Sequence, residues 1–323
     1  MPEIPARSVF VVVVTYNGRE DISKCLSSLQ ASTISTQIVV IDNASTDDTV
    51  EIIHRNYLSV KIIQSTANLG FGKGNNIGIR YAYDSGAEHV FLLNQDAFVE
   101  PDAIETLVNF QCANNEYVLI SPMQLDGSGK EIDSKFSKHI SKSHSIARIL
   151  SDTFFSGKMA KIYDVDYVNA AAWMLSRKCI EQVGLFNPIF DHYGEDCEYA
   201  HRVWQKRLKM GLCTQSIAYH NRDQNSSGST RNWRKTLMME KALIRYRLSR
   251  KNPGTPTNIM SSLVRALFAN GQDGTKRYLI RMNLLWFIIN GSYKTIKMRD
   301  KGYEGIIPFY EETPDFVRES VVD

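Results

Sequence analysis

Residues 8–43 read SVFVVVVTYNGREDISKCLSSLQASTISTQIVVIDN, and this stretch decides the fold. The run at 9–14 is apolar and almost wholly valine, the composition of a strand buried on both faces. Behind it Ile22, Leu26 and Leu29 recur at helical spacing across 21–31. The strand read over 37–41 is apolar from Ile38 onward and closes at Asp42 and Asn43. Strand, helix and strand in that order make the crossover unit of a parallel sheet.

The alternation continues outward. Residues 60–63, 89–93 and 118–120 read as further strands. Helices are expected from a cap at Ser45 or Thr46 to about Asn56, over 77–83, and over 101–110 with Pro101 in the first turn. Residues 68–76 form a glycine-rich loop, and 124–163 a weakly patterned insert rich in Ser and Lys. Beyond it, 166–175 reads as a strand, 198–206 as a helix and 212–219 as a strand. The expected fold is α/β, with a mostly parallel, doubly wound sheet.

Composition is that of a globular protein: of 323 residues, 43% are hydrophobic and 23% charged, which excludes disorder as the dominant state. Five cysteines, an odd number with no CxxC pair, argue against a disulfide framework and for a reducing cytoplasm. Neither a secretory leader nor a spanning helix is expected, because no apolar run reaches the required length of about 18 residues. The net charge of +3 is unevenly spread: residues 231–301 hold 16 lysines and arginines against 3 acids. Such a block suits an anionic partner or a solvated surface. It contains no nucleic-acid-binding module.

Ligands of doubly wound sheets sit beyond the carboxyl ends of the strands. Here those ends read Thr15-Tyr16-Asn17, Asp42-Asn43 and Asn94-Gln95-Asp96. A carboxylate at Asp42 can accept a hydrogen bond from a pyrimidine N–H, with Thr15 and Asn17 one strand away, whereas Asp47 reads as a helix cap. In the glycine loop, Lys73 meets either a phosphate or solvent. Asn94 and Asp96 on one side of an extended segment offer oxygens for Mg²⁺ or Mn²⁺ beside substrate phosphates. Glu195 and Asp196 follow Gly194 at a helix N-terminus, which favours an ionised carboxylate and suits a general base. His220, after a strand, returns to the same edge and is a candidate metal ligand.

Taken together these residues resemble the inverting family-2 glycosyltransferases of the GT-A fold, in particular rhamnosyltransferase-like and galactofuranosyltransferase-like members. The motifs at 11–17, 39–47, 68–76, 94–96, 195–196 and 219–220 stand in the family's order. The resemblance implies a doubly wound mixed sheet in a catalytic domain over 1–230, with a donor half at about 1–123 and an acceptor half at about 164–230. A helical basic region follows at 231–323. It implies a dTDP- or UDP-sugar donor held by Thr15, Tyr16, Asn17, Asp42, Asn68, Gly70, Lys73, Asn75, Asn94, Gln95 and Asp96. Arg231 or Arg234 would close over the diphosphate. Asp96, His220 and Asn94 would hold the metal, and Asp196 would be the base. Glu195 would position acceptor or base, and Trp173 would touch the acceptor. The usual first Asp of the metal triplet is Asn94 here, which weakens the expected metal affinity and leaves a non-catalytic sugar-nucleotide binder as the alternative. Rhamnose is the first expected sugar, then galactose or galactofuranose. The expected acceptor is a saccharide or lipid-linked saccharide of bacterial surface polysaccharide. The basic region is expected to touch an anionic membrane surface on the cytoplasmic side, or else to pack on the catalytic domain or a second subunit.

Overall fold

The computed structural model describes residues 8–222, 233–249, 274–302 and 307–309. Nine strands form one mixed sheet: β1 (Val9–Thr15), β2 (Gln37–Asp42), β3 (Lys61–Gln64), β4 (His89–Asn94), β5 (Ala97–Val99), β6 (Tyr117–Asp126), β7 (Ile162–Asp164), β8 (Ala172–Ser176) and β9 (Lys209–His220). Their order is β3-β2-β1-β4-β8-β6-β9-β5, with β7 also on β9. The β3-β2-β1-β4 block is parallel, and β8 runs antiparallel to both β4 and β6. The sheet is therefore mixed, as the resemblance implies.

The alternation of β1 explains the layers. Val9, Val11 and Val13 join one core with Ile22, Leu26 and Leu29 of α1 (Ile22–Gln30), Ile53 of α2 (Thr49–Asn56) and Leu107 of α4 (Ala103–Ala113). Phe10 and Val12 point the other way. They join a second core with Ile77 of α3 (Gly70–Asp84), Ile180 of α7 (Arg177–Val183) and Tyr199 of α8 (Glu195–Gln205). Side chains alternate along a strand, so a run buried throughout requires helices on both faces.

Several expectations are corrected. The glycine-rich segment is not a loop; α3 begins at Gly70 and runs through it. The glycines serve close packing. A Cβ on Gly78 would stand 2.3 Å from Val12 Cγ1, and one on Gly74 2.8 Å from Val14 Cγ1. The insert is ordered by two short helices, α5 (Ser134–Ile140) and α6 (Ile146–Ser151), the first capped by Asp133. The strand expected at 166–175 is only Ala172–Ser176. Residues 95–96 turn between β4 and β5 instead of continuing extended, so Asn94 and Asp96 do not share a strand face.

The long helices α9 (Trp233–Ser249) and α10 (Gly274–Lys301) pair through Ile244, Leu248, Leu284, Phe287 and Ile288. Gly194 packs against the Ala242 carbonyl, so α9 rests on the turn that opens α8. No described helix is long and apolar enough to cross a membrane.

Alanine at position 78 would gain about 1 kcal/mol of helix propensity but meets a β-branched side chain with little freedom to move. Overpacking of this kind costs about 1–3 kcal/mol. Gly78→Ala is expected to lower stability in urea unfolding monitored by circular dichroism. An unchanged or raised midpoint would contradict the packing argument.

Candidate active site

Parallel register brings the polar strand ends together: Thr15 stands opposite Asp42, and Val14 opposite Asn94. Gln95 then ties β1 to β4. Its Oε1 accepts from Thr15 Oγ1 at 2.6 Å and from the Tyr16 amide at 2.8 Å. Asn17 adopts the left-handed conformation, with φ 48°, and its Oδ1 accepts from the Thr46 amide at 2.8 Å. Asp42 is 2% exposed and accepts from the Ser45 amide. Asp47 bonds the Thr49 amide at the start of α2, the capping role expected for it. Tyr16 stays exposed at the rim.

The rest of the expected donor set divides. Asn68 accepts from the Gly70 amide at 2.9 Å, shaping the entry to α3. Gly70 has φ +81°, and its α-carbon lies against the Asp191 carbonyl, where a Cβ would approach to 2.3 Å. Lys73 faces neither solvent alone nor an empty phosphate cradle: it pairs with Asp191 at 3.1 Å. Asn75 is buried and donates to the Phe71 carbonyl within its own helix, which withdraws it from a donor. Arg231 lies outside the described residues, and of Arg234 only the backbone, on α9, is described.

β5 pairs with β9 so that Ala97 stands opposite His220, and Asp96 Oδ1 meets His220 Nε2 at 3.1 Å. Burial raises the Asp96 carboxyl, but the hydrogen bond and charge of His220, with Arg222 behind it, hold it below the usual carboxylate range. His220 is 3% exposed, and its Nδ1 is buried with no hydrogen-bond partner. Among the described residues no three His, Cys, Asp or Glu side chains cluster as a metal cage. A carboxylate beside an imidazole fits an ion shared with substrate phosphates, which takes most of its ligands from the substrate and water.

The second half of the site is the N-terminus of α8. Tyr193 and Gly194 both have positive φ, 67° and 89°, and swing the chain so that Glu195 and Asp196 open the helix. Tyr167 donates its hydroxyl to Asp196 Oδ2 at 2.6 Å, and the Cys197 amide reaches Oδ1 at 2.8 Å. Both Asp196 oxygens thus act as acceptors. Burial and the Asp196 charge push the Tyr167 phenol far up, so it remains a donor. Its ring packs edge-on against His139 at 4.6 Å, and burial lowers the His139 imidazole. Glu195 is buried and lies 3.5 Å from where a Gly72 Cβ would stand, so α8 meets the N-terminal turns of α3. Burial first, then the Asp196 and Asp191 charges, push its carboxyl up to about 8, and its Oε2 has no partner. Glu195 therefore carries a proton near neutrality, beside an Asp196 whose two oxygens both accept hydrogen bonds.

Sequence reasoning missed Tyr167 and its contact. It lies in a stretch read as strand, and no spacing rule links it to Asp196. Trp173 is the reverse case. It is fully buried between Phe186 and Tyr199, so it is a core residue and not an acceptor contact. A cavity of about 390 Å³ instead lies beside the Tyr167–Asp196 pair, lined by Tyr167, Cys197, His201, Trp204 and Tyr246. Trp204 is 59% exposed there and stacks on His201 with centroids 5.7 Å apart. All five cysteines are free.

Residues 10–184, more than half of the chain, match the family Glycosyl transferase family 2, and the chain belongs to that family. Among curated relatives, the low-salt glycan biosynthesis hexosyltransferase Agl10 of Haloferax volcanii is 28% identical over 212 residues, covering 65% of this chain and 66% of its own. The dTDP-rhamnosyl transferase RfbF of Shigella flexneri is 30% identical over 101 residues, covering 31% and 33%. This chain therefore spans just under two thirds of the first relative and a third of the second. Solved GT-A glycosyltransferases share the fold. Staphylococcus aureus TarS in complex with UDP-GlcNAc superposes with TM-score 0.55 at 13% identity, over 95% of this chain and 88% of that one. GalNAc-T7 with UDP, GalNAc and Mn²⁺ gives 0.60 at 15% identity, over 91% and 58%.

Glu195 also makes a stability prediction. Its folded pKa is raised, so between about 4.5 and 8 the native state holds a proton that the unfolded chain has released. The group's contribution is fully present below that window and is lost as pH rises through it. In Glu195→Gln, a neutral isostere, urea stability should fall less between pH 5 and 8 than in the parent. Identical slopes would show that Glu195 is ionised throughout.

Proposed function

We propose that this chain transfers a hexosyl group from a nucleoside-diphosphate sugar to a hydroxyl of a saccharide or lipid-linked saccharide, with inversion at the anomeric carbon, in surface polysaccharide assembly. The observation that carries the reading is Asp196. It is a half-exposed carboxylate at a helix N-terminus, oriented by Tyr167, and its helix packs on the helix that follows the strand ends.

In this reading Asp42, Thr15 and Asn17 form the floor for nucleobase and ribose, and Gln95 holds those strand ends in place. Asp96 and His220 would hold a divalent ion, Mg²⁺ or Mn²⁺, with Asn94 nearby. When bound, that ion supplies positive charge to the departing diphosphate. The acceptor lies along Tyr167 and Trp204, replacing the expected contact with Trp173. Asp196 takes the proton of the attacking hydroxyl in a single displacement. Glu195, protonated, donates a hydrogen bond to the acceptor or to Asp196. A dTDP-rhamnose donor is the first candidate, with UDP-galactose or UDP-galactofuranose next. Work on the cytoplasmic face, with α10 against anionic lipid, is consistent with its exposed Trp286 and Tyr293 beside Lys294 and Lys297.

Two measurements test this. Removing a general base costs about 10²–10⁴ in turnover. Asp196→Asn should lose that much kcat while its KM for the donor stays near the parent value; near-full turnover would remove Asp196 from the role. For the donor, a ligand at 100 times its Kd adds about 2.7 kcal/mol of stability. Thermal shift with UDP-, dTDP- and GDP-sugars should single out one nucleotide, with a shift that shrinks on adding EDTA. No shift with any nucleotide in folded protein would favour the non-catalytic alternative or an acceptor-first order. A shift indifferent to EDTA would dismiss the ion.

A further inference from the structure

A second cavity, of about 480 Å³, opens where α9 and α10 meet the segment before the Glu195-Asp196 pair. Asp191, Lys241, Arg245, Met238, Trp286 and Phe287 line it. Positions 238, 241 and 245 share one face of α9, so the helix presents two cations and a thioether to the same space.

The charges there do not balance. Asp191 is a single carboxylate already shared between Lys73 at 3.1 Å and Arg245 at 2.9 Å. Among the described residues Lys241 has no carboxylate partner. Its amine lies 5.6 Å from the centroid of Phe287, and burial and the Arg245 charge lower its pKa. Arg245 stacks on the same ring at 5.1 Å, and its Nε is buried without a hydrogen-bond partner. Two cations one helical turn apart over the same ring, with donors unspent, favour an anion with several acceptor oxygens. Opposite them Trp286 is 65% exposed and Phe287 walls the floor, a surface suited to hydrocarbon. Anion and apolar chain in one cavity describe a phosphate ester.

We propose that this cavity binds a phosphate ester, its phosphate on Lys241 and Arg245 and its organic group along Trp286 and Phe287. Relating that ester to the acceptor's carrier rests on the glycosyltransferase reading; binding itself does not. Asp191 connects the two regions, since its carbonyl abuts Gly70 of α3 while its carboxylate holds Arg245.

The test is calorimetric titration of the full chain with farnesyl phosphate, glycerol phosphate and farnesol, with UDP titrated in parallel. Lys241→Gln and Lys241→Arg are measured beside the parent; Lys241 is half-buried, and among the described residues its side chain makes no hydrogen bond. Farnesyl phosphate should bind at least about tenfold more tightly than farnesol, the worth of a charge-assisted contact. Lys241→Gln should lose about that factor, Lys241→Arg should keep most of it, and UDP affinity should not change. Glycerol phosphate binding as well as farnesyl phosphate would support the site and identify its source as a polar phosphate instead of a lipid. Farnesol equal to farnesyl phosphate, indifference to Lys241→Gln, or no binding of either phosphate would overturn the proposal. Failure of UDP alone would count against the donor reading and leave this one standing.

Discussion

The orientation of α8 depends on one buried guanidinium. Arg202 is inaccessible to water, and its Nε meets both oxygens of Glu198 at 3.0 and 3.1 Å, one turn back on α8. Its other nitrogens donate to the carbonyls of Val183 and Leu185, and its plane lies between the rings of Tyr199 and Phe309. A buried ion pair is costly to desolvate and is retained only where further hydrogen bonds complete it. Here those bonds go to the chain leaving α7. They fix the rotation of α8 about its axis, and with it the direction in which Glu195 and Asp196 leave the helix.

The strand ends are held differently. Three parallel strands in register end together, and a single carboxamide, Gln95, stitches two of them. Alignment of strands places the ligand-facing atoms, so the precision of the cluster is inherited from the valine core beneath it. The close approach of α3 completes the arrangement, since its glycines let the helix lie directly on Val12 and Val14. Helices α3 and α8 meet where Gly72 faces Glu195.

The parallel half of the sheet was legible because its strands are buried on both faces and read as unbroken apolar runs between polar ends. The segment 70–76 misleads for a physical reason: glycine's low helix propensity is outweighed by the space it saves against β1. The strand at 172–176 was overextended because apolar residues continue upstream into a segment that is buried without pairing. Of the candidate site, the placement of Asp42, Asp96, Asp196 and His220 at the ends of elements was legible, since each follows an apolar run or opens a helix. Tyr167 and Trp204 were not visible. Their roles come from contacts across 29 residues in one case and from exposure beside a cavity in the other, and neither leaves a periodic trace. Trp173 failed as an acceptor contact because a large aromatic on a central strand is more use as core.

Tyr246 and Arg245 are neighbours on α9, yet they line different cavities, one beside Tyr167 and one beside Asp191. A single helix thus forms a shared partition between two chambers. Substitutions on the side of α9 that carries Tyr246 would reshape one chamber, and substitutions on the side that carries Arg245 the other. In the proposed reading, rewriting one helix changes what is glycosylated without touching Thr15, Asp42 or Gln95.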